Sequence, residues 1–164
     1  MQPSLWNLSG AVDATDKPMI NFIEGQINID EKTILSISDY KDLRIFATQG
    51  LIEKREYSGG IYYYFEYAVH DMRFGVFISL KDKRIDYIAL RWLNGPCTSK
   101  GWDDVSEKAL KEEYCRLLNF VEKRVGRPPD NKRDERSAWR FAWGQVDVSY
   151  ELRDFVTQIY MQPR

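Results

Sequence analysis

His70 is the only histidine in the chain, so a His-based metal site, a Ser-His pair or a Cys-His pair would each rest on one imidazole. It stands beside Asp71 between two alternating apolar runs, where both are good turn residues, and no nucleophile is placed next to it. Paired carboxylates occur at Asp103-Asp104 and Glu112-Glu113. Two carboxyls can divide acid and base roles when a cleft holds them a few ångströms apart. Here the first pair opens a helical pattern and the second falls on its polar side, so capping and solvation account for both. No glycine-rich phosphate loop of the Walker or dinucleotide type is present. Cys97, in a Gly-Pro loop, and Cys115, beside the apolar stripe of a helical pattern, match no disulfide framework and are expected to be free thiols. The stretch RFGVFI, 73 to 78, resembles part of an RNA-recognition signature in which strand aromatics stack on bases. It lacks the leading glycine, and Gly75 is better explained by something packing close to the strand. These residues point to no catalytic centre, metal or cofactor, and the expectation is a protein that is not an enzyme.

Composition agrees with that direction. The chain has 164 residues, 43% hydrophobic and 14% aromatic, which is ample for the core of one domain. Charged residues make up 30% and balance to a formal net charge of -1, with only the short DNKRDER run at 130 to 136 concentrated. Electrostatic attraction to nucleic acid or an anionic membrane is therefore not indicated. The start has no basic region followed by an apolar run, and no later stretch is long and apolar enough to span a bilayer, which points to the cytoplasm.

The elements that position these residues follow from periodicity. Residues 1 to 18, with Pro3 and Pro18, form an irregular lead-in to a single domain spanning 1 to 164. MINFIEGQINI, 19 to 29, is a strand with Gly25 as a bend or bulge. ISDYKDLRIFATQG, 37 to 50, predicts a helix capped by Ser38, with Asp39 and Asp42 in its first turn and Gly50 at its end. From 51 to 93 LIEKREY, GGIYYYFEYAVH, MRFGVFISL and RIDYIALRWL form an antiparallel meander joined by short turns. A loop over 94 to 102 precedes DDVSEKALKEEYCRLLNFVEKRVGRPP, a helix capped by Asp104 whose Leu110, Tyr114, Leu117, Leu118, Val121 and Val125 share one face. Gly126 and two prolines stop it. SAWRFAWGQVDVSY and RDFVTQIYMQ make a final pair of strands, the first interrupted at Gly144. The order β-α-β-β-β-β-α-β-β predicts an α+β fold with a single antiparallel sheet and two helices packed on one face.

That architecture leaves the second sheet face free. Alternation puts Ile61, Tyr63, Phe65, Tyr67 and Val69 toward the core and Tyr62, Tyr64 and Glu66 away from it. On the next two strands Arg73, Gly75, Phe77, Ser79, Ile85, Tyr87, Ala89 and Arg91 face the same way. Tyrosine and arginine on a strand face form a composition enriched at protein interfaces. The rival reading covers this face with the lead-in or with the loop 94 to 103. A third possibility is a small-molecule or enzymatic pocket lined by Tyr62, Tyr64 and Tyr87, and a scaffold subunit is a fourth.

In layout the chain resembles small cytoplasmic bacterial immunity proteins of contact-dependent inhibition and polymorphic toxin systems. The features that carry this are the early helix at ISDYKDL, the meander ending KDKRIDYIALRW, the helix closing in VGRPP and the strand opening FAWGQVDVSYELRD. The resemblance implies non-enzymatic inhibition of a cognate toxin domain, such as a nuclease, by tight protein contact. It implies no direct nucleic-acid or membrane partner. It also draws attention to the acidic N-terminal part, Asp13, Asp16, Glu24, Asp30, Glu31, Asp39 and Asp42, as a source of steering charge. The expected contact set is Tyr62, Tyr64, Glu66, Arg73, Tyr87 and Arg91, with Asp39 and Asp42 steering the approach.

Overall fold

Short two-residue turns in left-handed conformations set the architecture. His70 (φ 53°) turns the chain between two ten-residue strands, and Asp82 with Lys83 (φ 52° and 63°) turns it into the next, the conformation that lets strands re-pair with their natural twist. The computed structural model describes residues 20–30, 34–38, 43–58, 60–99 and 105–164. Their strands are β1 Ile20–Asn21, β2 Gln26–Asn28, β3 Ile34–Ser36, β4 Glu53–Tyr57, β5 Gly60–Val69, β6 Met72–Lys81, β7 Arg84–Trp92, β8 Asn131–Lys132, β9 Arg136–Phe141, β10 Gly144–Glu151 and β11 Val156–Pro163. The helices are α1 Leu43–Thr48 and α2 Glu107–Val125.

The fold is α+β and antiparallel as expected, but the described residues form two sheets instead of one. A large sheet runs β4-β5-β6-β7-β11-β10-β9-β8, and a small one runs β1-β2-β3. Two local features produce the difference. Gly25, at φ 65°, closes a hairpin in the stretch expected to be one strand, so Ile20 pairs with Ile27. Further along, FAWG forms a tight turn, so the expected single strand 137 to 150 is a hairpin with Phe141 opposite Gly144. Trp143 at that turn lies over Gly25, whose missing Cβ leaves room for the indole, and its Nε1 donates to the carbonyls of Phe22 and Ile23 at 3.1 and 3.0 Å. The Trp-Gly pair thus ties the small sheet to the body.

The long helix buries Leu110, Tyr114, Leu117, Leu118, Val121 and Val125 against β10 and β11, as its periodicity predicts. Each such aliphatic side chain stabilises the fold by about 1.5–3 kcal/mol relative to exposure. Its cap is Ser106, whose Oγ accepts the Ala109 N–H at 3.0 Å, and Asp104 lies outside the described residues. Gly126, at φ 82°, ends the helix as expected. Phe120 meets Phe22 edge-on at 6.4 Å, so helix and small sheet share one core on one face of the large sheet. The early helix is only α1, because Ile37 instead donates its N–H to Gly25 O and extends the small sheet's pairing. Asp39 and Asp42 lie outside the described residues. No described helix is long and apolar enough to cross a membrane.

Three side chains depart from simple alternation. Ile85 is buried in the core because β7 carries a bulge at Asp86: Ser79 pairs with Tyr87 but Leu80 with Ile85, which switches the face. Ile61, near the sheet edge, is 45% exposed instead of core. Glu113, expected on the polar side of the helix, is fully buried. Its carboxylate accepts the N–H groups of Cys97 and Thr98 at 3.1 and 2.9 Å and the hydroxyls of Thr98 and Thr157, which fixes the loop after β7 against α2. Neither cysteine forms a disulfide, as expected; Cys97 is buried and Cys115 is exposed to solvent instead of lying by the apolar stripe.

Candidate functional site

The second face of the large sheet is built by register. One row across the strands runs Tyr64, Phe77, Ala89, Tyr160 and Asp147, each opposite the next. A flanking row runs Arg55, Tyr62, Ser79 and Tyr87. Because strand side chains alternate, these residues stand opposite the core of Phe74, Val76, Ile78, Ile88 and Leu90.

The six residues expected on this face are all on it, and they fall into two groups. Tyr64, Glu66 and Arg73 bind one another. The Tyr64 hydroxyl donates to Glu66 at 3.0 Å, and Arg73 approaches the same carboxylate at 3.6 Å. Arg55, held by Glu53 at 3.1 Å, stacks its guanidinium 3.8 Å from the Tyr64 ring centre. Tyr64 also lies against Gly75, where an added Cβ would stand 3.1 Å from the ring, so the close packing expected at Gly75 is supplied by this tyrosine. The result is a buried Tyr64, whose phenol is pushed up first by burial and then by its bond to Glu66.

Tyr62, Tyr87 and Arg91 do something different. With Phe77, Ser79, Gln158 and Tyr160 they line a groove of about 460 Å³ in the middle of the face. Phe77 is the shared wall, 5.6 Å from Tyr62 and 4.9 Å from Tyr64 between ring centres. Tyr87 and Tyr160 meet edge-to-face at 5.5 Å, and burial pushes the Tyr160 phenol up, with Tyr87 adding to the effect. Arg91 makes no salt bridge among the described residues, so a cation with hydrogen-bonding capacity points at a half-apolar groove. Tyr160 lies outside the expected set, although the apolar Ile159 and Met161 on either side of it mark it as outward-facing.

At the far end of the face Asp147 is buried. Its Oδ2 accepts from Arg136 and Gln145 at 2.7 and 3.0 Å.

The residues read as chemical candidates settle elsewhere. His70 is an exposed turn residue, and Phe74 is fully buried against Tyr67 and Phe120, so it presents no ring for a base to stack on. Among the described residues no three or more His, Cys, Asp or Glu side chains gather to hold a metal. Comparison of the chain with protein-family models, with curated proteins and with solved structures found no match.

Proposed function

We propose that this chain is a binding protein that acts without catalysis, neutralising a cognate bacterial toxin domain by protein-protein contact through the open face of its large sheet. The observation that carries the reading is the central groove, where Tyr62, Phe77, Tyr87 and Tyr160 present aromatic area beside Arg91, which makes no salt bridge among the described residues. Such side chains give large buried area with little loss of rotamer freedom and dominate the energetics of protein interfaces. The clasp of Tyr64, Glu66 and Arg73 serves as a pre-formed rim, ordered before a partner arrives. The choice of a toxin as the partner rests on the sequence layout alone, and the cytoplasmic location on the sequence's lack of a signal-like start or a spanning run.

The test is recovery of a stoichiometric complex with the product of the neighbouring reading frame, followed by titration of variants. Tyr87→Ala and Arg91→Ala are expected to weaken the complex by more than about 1 kcal/mol each while remaining folded. Unchanged affinity in both would remove the groove from the interface.

One observation favours a second reading. The groove's volume lies within the range of about 300–1,000 Å³ common to small-molecule sites, and Ser79, Gln158 and Arg91 supply polar groups around aromatic walls. A ligand whose stabilisation in a thermal-shift screen disappears in Tyr87→Ala would support that reading.

A further inference from the structure

The two halves of the open face carry their charges differently. On β4, β5 and β6 the charges are paired, Glu53 with Arg55 and Glu66 with Arg73. On the other half they are not. The Arg91 guanidinium, part-buried at the groove, makes no salt bridge or hydrogen bond among the described residues, and no described carboxylate lines that groove. Toward β8 a smaller hollow of about 230 Å³ gathers Arg133, Arg136 and Arg140 around Asn131 and Gln145, again with no described carboxylate in its walls. Register puts this hollow on the same face, because the row through Tyr160 and Asp147 continues to Ala138 and Asn131.

The carboxylates near these arginines are committed or lie outside the two linings. Asp147 is buried and accepts from Arg136 and Gln145, and Asp130 is held by Arg127 at 2.6 Å. Glu151 is exposed at the end of β10, and Asp86, at the bulge of β7, lines a separate hollow with Arg140 and Arg164. A formal net charge of -1 for the whole chain therefore conceals a local excess of guanidinium on this half of the face. A cation partly withdrawn from water and left without a partner carries a desolvation cost that an incoming carboxylate offsets.

We infer that the protein partner meets this half of the face with an acidic patch, one of whose Asp or Glu side chains enters the groove and pairs with Arg91. The inference rests on the protein-binding reading above and adds the sign of the partner's charge. Neighbouring strands lie about 4.8 Å apart, so the three steps from β7 to β9 set a second acidic contact, at Arg136 and Arg140, about 14 Å from the first. A single-stranded nucleic acid also brings anions, but it needs aromatic faces free to stack on its bases. Here Tyr87 and Tyr160 meet edge-to-face and Phe77 is tilted against both Tyr62 and Tyr64, so the rings engage one another and the groove suits an inserted side chain.

The experiment measures binding of the full chain to the product of the neighbouring reading frame by surface plasmon resonance, in about 50 and about 500 mM sodium chloride. Kd is expected to rise by about tenfold or more with salt, mainly through a slower association rate. At low salt Arg91→Glu/Arg140→Glu is expected to bind about a hundredfold more weakly, and Arg91→Gln/Arg140→Gln, which removes the charge without reversing it, about tenfold more weakly. A complex whose affinity ignores salt, or in which the Glu variant binds as well as or better than the Gln variant, overturns the acidic patch and leaves the protein-binding reading standing. Absence of any complex overturns both. A fluorescein-labelled single-stranded oligonucleotide of about 20 nucleotides is tested in parallel and is expected to show no saturable binding. Saturable binding that is lost in the Glu variant would assign the arginines to nucleic acid and overturn the inference.

Discussion

Phe74 and Phe77 sit three residues apart on one strand and face opposite sides of the sheet, and their surroundings differ in kind. Phe74 is wholly buried, stacked on Tyr67 at 5.5 Å and packed against Phe120 at 5.2 Å under the long helix. Phe77 is half-buried between two tyrosines on a face with a groove beside it. Around Phe74 the contacts are completed within the chain, so the side chain there serves stability. On the open face the Tyr64 clasp and the Asp147–Arg136 pair are completed within the chain, while the groove side chains beside them stay partly uncovered. The same residue type thus belongs to the core on one side and to the proposed binding face on the other.

The largest expected effect is on the covered side. Phe74→Ala should destabilise the fold by about 3–5 kcal/mol in urea denaturation, whereas Phe77→Ala should cost no more than about 1–2 kcal/mol. Equal losses would erase the distinction between the faces. Two glutamates extend the comparison. Glu113→Ala strands the buried Cys97 N–H and the Thr157 hydroxyl and should cost about 2–4 kcal/mol. Glu66→Ala on the open face, where the carboxylate is half-exposed, should cost less than about 1 kcal/mol. Next in size, Tyr64→Phe removes the bond to Glu66 and should cost about 0.5–1.5 kcal/mol by the same denaturation assay. The smallest effect belongs to Arg91→Ala, with stability expected within about 0.5 kcal/mol of wild type, since this side chain makes no salt bridge among the described residues.

Much of this division could be read from alternation. The core positions of β6 and α2 and the outward setting of Tyr62, Tyr64, Tyr87 and Arg91 follow from periods of two and 3.6, which hold wherever one face is buried. What alternation misses is any feature set by contacts distant in sequence. Ile85 changes face because one extra residue bulges from β7, and no local pattern marks it. Glu113 sits on a helix flank that would be polar if the 95–99 loop did not fold over it and offer N–H groups. The FAWG turn lacks the usual Asn-Gly signature, and Trp143 earns its place there by reaching a segment 120 residues earlier in the chain. The clasp around Tyr64 needs Arg55, on a neighbouring strand whose register is visible only once the strands are paired.

In the proposed role the groove side of the open face binds a toxic protein partner. Its most direct test is co-expression of this chain with the product of the neighbouring reading frame, comparing wild type with the Tyr87→Ala/Arg91→Ala double variant. Wild type is expected to restore growth, while the double variant, equally folded and equally abundant, fails to do so. Full rescue by the double variant, or no effect of the wild-type chain on growth in the presence of that product, would contradict it.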